Sequence, residues 1–375
     1  MVQAIFFISA GLILYAYALY PVCLAVFSAI RRGKSGADCA LTAANAPSLS
    51  VVVAAYNEEA VIAQKIKNFL AGEYPGKSEI IVVSDGSEDR TAEVAESLRS
   101  DRVRVIRRPQ RQGKGAAVNA GAAAAAGEVL VFSDANAMFD AAALSALVRP
   151  LANPRIGLVS GVSHYPDGTI GSAYQRYELM LKRMESRLGA IATADGAIYA
   201  MRRALFSELD PILIDDFTHP ILTALKGFDS VLADGAVCRE DFSAGGEFAR
   251  QVRMVSQAAL VYFRFLPDLI RAGSWRSIAV LTSHKMLRWL TAPILAALMV
   301  STLILAPRGG IYAGAFAAEA VFAIAAGLGM AASRKGLESQ VTFVYQFVAL
   351  NCAQAVGLWR CCSGQTPVVW KPRNL

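Results

Sequence analysis

The chain has 375 residues, of which 55% are hydrophobic and 18% are charged. Its mean hydropathy of +0.40 is too high for an ordinary soluble protein and predicts membrane-spanning segments. The formal net charge is +7, but no basic stripe with interleaved aromatic residues accompanies it, so we do not expect nucleic acid as a partner.

The first 30 residues carry no charge, which predicts a transmembrane helix over 1–30. A secretory signal peptide would carry basic residues before its apolar run, whereas Arg31, Arg32 and Lys34 follow it here. By the positive-inside rule, these charges place the next segment, 31–265, in the cytoplasm. We therefore expect a multi-pass protein of the inner (plasma) membrane with a cytoplasmic domain.

The cytoplasmic domain alternates predicted strands with predicted helices. Strands are expected over 49–55, 79–83, 103–106 and 128–132, and helices over 59–70, 90–98 and 113–126. This alternation predicts an α/β domain with a parallel sheet, and such sheets bind ligands at the carboxyl ends of their strands. Further along, strands are expected over 156–159 and 195–201, and helices over 173–188, 202–209 and 247–256, with one more helix that follows Asp215–Asp216 and runs to about 225.

Acidic segments follow three of these strands, at 56–59 (YNEE), 85–89 (DGSED) and 134–136 (DAN). Gathered at one edge of a sheet, their side chains would suit a nucleotide and a divalent metal. Asp134 and Asn136 could hold Mg²⁺ or Mn²⁺ through oxygen, although both are also common turn residues. In 85–89 a carboxylate could accept hydrogen bonds from a base or ribose, or could cap the next helix.

Lys114 and the pair Asp215–Asp216 are further candidates. Lys114 lies between two glycines and is either a cation near phosphate or a solvated loop lysine; no P-loop pattern surrounds it. One carboxylate of the pair could act as a general base toward an alcohol, or both could be surface charge. The six cysteines and three histidines show no metal-ligand spacing, so we expect reduced thiols and no zinc site.

The last part of the chain is mostly apolar. Residues 266–289 mix tryptophan, aliphatic and basic side chains, which favours a helix in the membrane interface over an amphipathic helix packed on the domain. About three transmembrane helices are expected over 290–360, followed by a tail over 361–375. Glu319 is either a functional intramembrane carboxylate or a packing residue. Three spans would leave a basic tail outside, against the positive-inside rule, so the side of the tail stays open.

Eight segments, taken in order, resemble the membrane-bound members of glycosyltransferase family 2, which have a GT-A fold. They are SVVVAAYNEE (50–59), VVSDGSEDRT (82–91), GKGAAVNAG (113–121), VFSDANAMF (131–139), ADGAIYAMRR (194–203), DDF (215–217), EFARQVR (247–253) and SHKMLRWL (283–290). The resemblance covers nearly the whole chain. It implies a Rossmann-like nucleotide-diphospho-sugar transferase domain of α/β class between the N-terminal transmembrane helix and the interfacial and C-terminal helices.

The resemblance implies inverting transfer of a sugar from a nucleotide-diphosphate donor, for which UDP is the commonest nucleotide in the family. Asn57, Glu59 and Asp85 would contact the nucleotide. Asp134, with Asn136 as the weaker partner, would bind Mg²⁺ or Mn²⁺ and the diphosphate.

On the acceptor side, Asp216 falls where the family keeps its general base. Gly196 and its neighbours match the acceptor-proximal loop, and we assign Asp215 to the same side. Arg250 and Arg253 occupy the place of the family's Q-x-x-R-W motif and would help to hold the diphosphate.

The chain departs from the family pattern in three places. The metal motif is D-x-N instead of D-x-D, which predicts lower metal affinity or a different metal specificity. Ser84 stands where many relatives have an aspartate. Residues 250–254 (RQVRM) have neither the glutamine nor the tryptophan in the register of the Q-x-x-R-W motif, and the missing tryptophan weighs against processive synthesis.

The expected acceptor is a lipid-linked glycan or a growing polysaccharide in exopolysaccharide or cell-envelope synthesis. Membrane lipids and other subunits of a glycan assembly machine are the further expected partners. The short membrane block favours addition of single sugars over polymer extrusion. Transfer to polyprenyl phosphate is one alternative, and a non-catalytic membrane scaffold with a degenerate transferase domain is another.

Overall fold

The computed structural model describes residues 1–31, 41–164, 170–240, 247–335, 337 and 340–366. Its chain divides into two compact units. The first contains the described residues of Met1–Val26, Ala244–Ala259 and Leu281–Thr366. The second contains those of Phe27–Ser243 and Leu260–Val280, and it holds every strand that the structure describes.

The strands are β1 (Leu49–Ala55), β2 (Ser78–Asp85), β3 (Val103–Arg108), β4 (Val129–Asp134), β5 (Met138–Phe139), β6 (Ile156–His164), β7 (Tyr199–Arg202) and β8 (Asp229–Arg239). The α-helices are α1 (Val2–Leu14), α2 (Tyr20–Ile30), α3 (Ile62–Ala71), α4 (Thr91–Ser97), α5 (Lys114–Ala124), α6 (Ala143–Val148), α7 (Ile170–Arg187), α8 (Asp215–Leu225), α9 (Glu247–Arg271), α10 (Trp275–Val280), α11 (Leu287–Trp289), α12 (Thr291–Leu305), α13 (Gly310–Arg334) and α14 (Gln340–Cys362). Single π-helical segments connect α1 to α2 (Tyr15–Leu19) and α10 to α11 (Leu281–Met286).

One mixed sheet forms the centre of the second unit, in the order β3-β2-β1-β4-β7-β6-β8-β5. Strands β1 to β4 pair in parallel, as the alternation of strands and helices predicts. The valine- and isoleucine-rich sequences of β1, β2 and β4 are buried on both faces, which is typical of parallel strands covered by helices on each side, whereas β3 at the edge of the sheet is only partly buried. Strand β7 is antiparallel to both β4 and β6, which the sequence did not indicate.

Two predicted elements differ from the structure. The helix expected over 202–209 is wrong, because only a 3-10 turn at Arg203–Leu205 forms there. The strand expected over 195–201 begins at Tyr199, because Asp195 instead makes a turn in which its carboxylate accepts a hydrogen bond from Ala197 N at 3.1 Å.

Further elements were missed, among them the two-residue strand β5. Strand β8 was hidden by its internal Asp234–Gly235, which is typical of a turn. In the structure the register shifts at that point, since Ser160 pairs with Leu232 and Val162 with Val237, so this part of β8 bulges out of the ladder. Helix α6 is short and apolar and was not predicted either.

Four helical segments in the described part of the chain are long and apolar enough to cross a membrane: Val2–Ile30, Thr291–Arg308, Gly310–Arg334 and Gln340–Cys362. Their number and positions agree with the sequence prediction. Helix α9, expected over 247–256, continues through Pro267 to Arg271, so no helix begins at 266. The interfacial position of residues 266–289 stays a prediction. Arg32, Lys34 and residues 367–375 lie outside the described part.

Candidate active site

The loops after β1 and β2 hold each other through the acidic residues that the sequence singled out. The Asn57 side-chain oxygen accepts a hydrogen bond from Glu88 N at 2.9 Å, and the Glu59 carboxylate accepts one from Arg90 N at 2.9 Å. Asp89 in turn accepts one from Glu59 N at 3.1 Å. Asn57 has a φ of +55°, which asparagine tolerates better than most residues. These contacts give both loops a defined shape, and donor contact by Asn57 and Glu59 stays a prediction.

Asp85 at the end of β2 is 4% exposed and anchors the loop before α5. One carboxylate oxygen accepts hydrogen bonds from Gly113 N at 2.7 Å and Gln112 N at 3.1 Å, and the other binds Arg108 Nη1 at 2.9 Å. Gly113 has a φ of +99°, which favours glycine at this sharp entry into the helix. Asp85 therefore fixes the position of Lys114, the first residue of α5. Contact between Asp85 and a nucleotide stays a prediction.

Lys114 joins the carboxylates of two separate elements. Its Nζ lies 2.9 Å from Asp134 Oδ1, at the end of β4, and 3.4 Å from Asp215 Oδ1, at the start of α8. Although burial opposes the charged form, Asp134, Asp215 and Asp216 together raise the pKa of Lys114. Lys114 is thus an ammonium inside an acidic cluster and not a solvated loop lysine.

Asp215 is buried at 1% exposure and belongs to a chain of side chains below the cluster. Its Oδ2 accepts a hydrogen bond from Tyr199 OH at 2.8 Å, and the same hydroxyl lies 2.8 Å from His219 Nδ1. A hydroxyl has one proton, so Tyr199 donates to the carboxylate and accepts from Nδ1–H of His219. Burial lowers the pKa of His219 to about 4, so the imidazole is neutral at physiological pH. Although burial opposes ionisation, Lys114 holds the pKa of Asp215 below its usual value.

Asp216 has the opposite environment to that of its neighbour. Its Oδ1 is buried and has no hydrogen-bond partner among the described residues. Burial and the negative charge of Asp215 raise the pKa of Asp216 to about 7. Its backbone oxygen accepts a hydrogen bond from Ala194 N at 2.9 Å, which holds the 193–196 loop against the start of α8. A carboxylate that titrates near neutrality can accept a proton at physiological pH.

Gly196 borders the Asp216 carboxylate directly. A Cβ at this position would lie 2.9 Å from Asp216 Oδ2 and 3.6 Å from Lys114 Nζ. Any larger residue would therefore displace the carboxylate or the ammonium. The structure thus brings together five residues predicted from the sequence, namely Lys114, Asp134, Gly196, Asp215 and Asp216.

The residues around Asp134 fit a divalent metal that takes part of its coordination from a ligand. No group of three or more His, Cys, Asp or Glu side chains in the described ranges could hold a metal alone. The Asp134 side chain is 37% exposed, and Lys114 contacts only its Oδ1. Asn136, two residues on, is half-buried and can supply an amide oxygen. Such a small oxygen set is usual for Mg²⁺-type ions that also bind substrate phosphates.

The family model for glycosyl transferase family 2 matches residues 50–210, which include β2, β4, the Gly196 loop and all but the first residue of β1. Residues 50–210 are a glycosyl transferase family 2 domain. The resemblance inferred from the motifs is therefore confirmed over this range, which holds the first five of the eight segments. Asp215, Asp216, Arg250 and Arg253 lie beyond the matched range.

Curated relatives of this family 2 domain carry glycosyltransferase names. The chain is 33% identical over 177 residues to the probable glycosyltransferase YdaM of Bacillus subtilis, covering 44% of this chain and 42% of that protein. It is 27% identical over 186 residues to the poly-beta-1,6-N-acetyl-D-glucosamine synthase of Staphylococcus epidermidis, covering 48% and 45%. The chain thus spans less than half the length of these relatives.

A solved structure confirms the expected GT-A fold around the family 2 domain. The mannosyltransferase PcManGT from Pyrobaculum calidifontis, in complex with GDP-Man and Mn²⁺, has a TM-score of 0.74 with 20% sequence identity. The likeness covers 97% of this chain and 100% of that one. At this level of identity it shows the fold.

Arg250 and Arg253 belong to the first unit, on α9, and so to a different unit from the family 2 domain. The Arg250 guanidinium pairs with Glu247, with Nε 2.8 Å from Oε2 and Nη2 3.0 Å from Oε1. Gln251 donates to the same carboxylate at 2.8 Å. Diphosphate contact by the two arginines stays a prediction.

Sequence reasoning missed Tyr199 and His219, which support Asp215 from below. In sequence, Tyr199 is one aromatic residue in an apolar strand and His219 one polar residue in a helix, and neither pattern indicates a site. The separation of Tyr199 from Asp215 along the chain has no meaning until β7 and α8 pack together. The +4 spacing of His219 after Asp215, which places both on one helix face, was the one available signal.

Proposed function

We propose that this protein transfers a sugar, with inversion at the anomeric carbon, from a nucleotide-diphosphate donor to an acceptor hydroxyl at the membrane. The proposal rests on two adjacent carboxylates whose surroundings shift their pKa values in opposite directions. Asp215 is held ionised by Lys114, whereas Asp216 has a buried, unpartnered oxygen and a pKa raised to about 7. Neighbouring carboxylates with pKa values pushed apart are typical of acid–base sites.

Asp216 is assigned the role of general base in the transfer. The acceptor oxygen forms a bond to the anomeric carbon, and its proton passes to Asp216. The bond between that carbon and the diphosphate oxygen breaks, and its electron pair leaves with the nucleoside diphosphate. Gly196 keeps the space beside Asp216 Oδ2 free for an acceptor, because a Cβ there would lie 2.9 Å from that oxygen.

The donor side of the site is assigned to Asp134, Asn136 and Lys114. Asp134 and Asn136 would hold Mn²⁺ or Mg²⁺, which supplies positive charge to the departing diphosphate when bound. The Mn²⁺ in the PcManGT complex supports a divalent metal here. Lys114 adds a fixed positive charge near the same place. The oxygens of Asp215 bind Lys114 and Tyr199, so Asp215 would position the Lys114 ammonium. The sequence also predicts that Asp215 contacts the acceptor, and this stays a prediction.

We assign a lipid-linked or growing polysaccharide acceptor, with UDP as the nucleotide of the donor. The four candidate spans support a membrane protein, and we take the domain to act at the cytoplasmic face of the plasma membrane. The synthase of Staphylococcus epidermidis, named for a polymer of N-acetyl-D-glucosamine, supports a glycan product.

Transfer to polyprenyl phosphate would not require Asp216 to act as a general base. A phosphate oxygen is already ionised at neutral pH and needs no general base. The raised pKa of Asp216 therefore favours a hydroxyl acceptor. It also weighs against a non-catalytic scaffold, because a scaffold has no use for a destabilised carboxylate.

The test is release of nucleotide by purified protein in nanodiscs, with UDP-, GDP- and dTDP-sugars, Mg²⁺ or Mn²⁺, and a lipid extract as acceptor. Asp216→Asn is compared with Asp210→Asn, a surface aspartate paired with Arg264. We expect metal-dependent release from one donor, lost in Asp216→Asn and retained in Asp210→Asn. Release that survives in Asp216→Asn would transfer the assignment to a phosphate acceptor. Folded protein that neither releases nor binds any of the nucleotides would refute the proposal.

A further inference from the structure

Lys65 on α3 is a fully buried lysine that the mechanism above does not use. Its Nζ donates to Ser133 Oγ at 2.8 Å and to the backbone oxygen of Ala137, and it lies 3.5 Å from the centroid of the Phe139 ring. Lysine is almost never fully buried unless it is paired. Burial lowers the pKa of Lys65 to about 7, so the position costs free energy that an apolar residue of similar length would not.

All three partners of Lys65 belong to one short segment, Ser133–Phe139, which carries the metal candidates Asp134 and Asn136. Asn68, one turn further along α3, forms hydrogen bonds with the end of the same segment. It donates to the Phe139 backbone oxygen at 2.9 Å and accepts from Phe139 N at 2.7 Å. Helix α3 therefore fixes both ends of the turn that presents Asp134 and Asn136.

The ammonium also sets the direction of a second hydrogen bond. Lys65 Nζ donates to Ser133 Oγ, so the single hydroxyl proton of Ser133 is directed elsewhere. That proton goes to the Ala197 backbone oxygen, 2.8 Å away. Ala197 follows Gly196, which borders the Asp216 carboxylate. A chain of hydrogen bonds therefore runs from Lys65 through Ser133 to the loop beside Asp216.

We propose that Lys65 is a positioning residue that fixes the Asp134–Asn136 turn and the Gly196 loop relative to each other, so that a divalent metal with its nucleotide diphosphate binds beside Asp216. The inference rests on the proposed function and adds a residue to it. Partners that orient metal ligands from behind change metal affinity by about 10–100-fold when they are removed.

The test compares Lys65→Met with Lys67→Met, an exposed lysine on the same helix. Full-length protein in nanodiscs is titrated with Mn²⁺ alone, with Mn²⁺ and UDP, and with Mn²⁺ and GDP, and bound Mn²⁺ is measured by electron paramagnetic resonance. We expect the Mn²⁺ dissociation constant to rise about 10–100-fold in Lys65→Met and to stay unchanged in Lys67→Met. The melting temperature should change little, because methionine fills the lysine volume without a buried charge.

Ser133→Ala provides a second variant if Lys65→Met does not fold. It removes the middle of the hydrogen-bond chain without opening a large cavity, and we expect it to weaken Mn²⁺ binding in the same direction. If Lys65→Met binds Mn²⁺ as tightly as Lys67→Met does, the inference is overturned while the proposed function stays intact. Where Lys65→Met does not fold, Ser133→Ala takes its place in this comparison. Wild-type protein that fails to bind Mn²⁺ in the presence of UDP and also in the presence of GDP would overturn both the inference and the proposed function.

Discussion

Replacing Asp216 by asparagine should strongly slow hydroxyl transfer and at the same time stabilise the protein. The substitution keeps the side-chain shape and removes the charge. The pKa of Asp216 is raised from 3.8 to about 7, and three pKa units correspond to about 4 kcal/mol. Asp216 is partly exposed and interacts with Asp215, so screening reduces this figure, and we expect recovery of about 1–2 kcal/mol.

The sign follows from proton binding. The unfolded chain releases the Asp216 proton near pH 3.8, whereas the folded protein keeps it until about pH 7. Between these values the folded state binds more protons, so the stability of the wild type falls as pH rises and the full penalty applies above pH 7. Asp216→Asn lacks this penalty. Its stability advantage should be absent near pH 4 and largest above pH 7.

The assay is the melting temperature of nanodisc-held protein across this pH range, together with nucleotide release. For a domain of this size about 1 kcal/mol shifts the melting temperature by about 2–4 °C, so an increase of a few degrees above pH 7 is expected. Turnover should fall by about 10²–10⁴-fold, as is usual when a general base is removed. Asp210→Asn, at the surface, should show neither effect. A melting-temperature difference that does not vary with pH would refute the reasoning about Asp216.

Three further substitutions test other parts of the site. Lys114→Met leaves Asp134 and Asp215 without their shared cation, and we expect nucleotide release to fall at least about 100-fold; release close to wild type would contradict its role. Tyr199→Phe leaves two buried groups unpaired, so the free energy of unfolding should fall by about 2–4 kcal/mol, and an unchanged melting temperature would argue against the hydrogen-bond chain. Asn136→Asp adds a charged ligand and should lower the Mn²⁺ dissociation constant about tenfold, with Asn136→Ala as the opposite control.

Much of the fold was predictable because it depends on local pattern. Strands β1 to β4 are runs of β-branched and apolar residues separated by helices of regular spacing, and their bounds came within a few residues of those predicted. The four apolar helices follow from hydropathy alone. Strand β8 was missed because Asp234–Gly235 has the sequence of a turn, and only pairing with β6 makes it part of a strand.

The position of the candidate site in the fold was also predictable from the sequence. Carboxylates after parallel strands must gather at one edge of the sheet, so the sequence by itself determined that Asp85 and Asp134 lie there. It also determined, through the family motifs, that the domain is of family 2.

Only the tertiary structure decided what each carboxylate does. Asp85 and Asp134 look alike in sequence, yet the first is enclosed by the backbone of 112–113 and the second faces Lys114. Asp215 and Asp216 are adjacent, yet one binds Tyr199 and the other has a buried oxygen without a partner in the described structure. Charge state and reactivity depend on burial and on neighbours from distant parts of the chain, and these neighbours exist only once the strands and helices have packed.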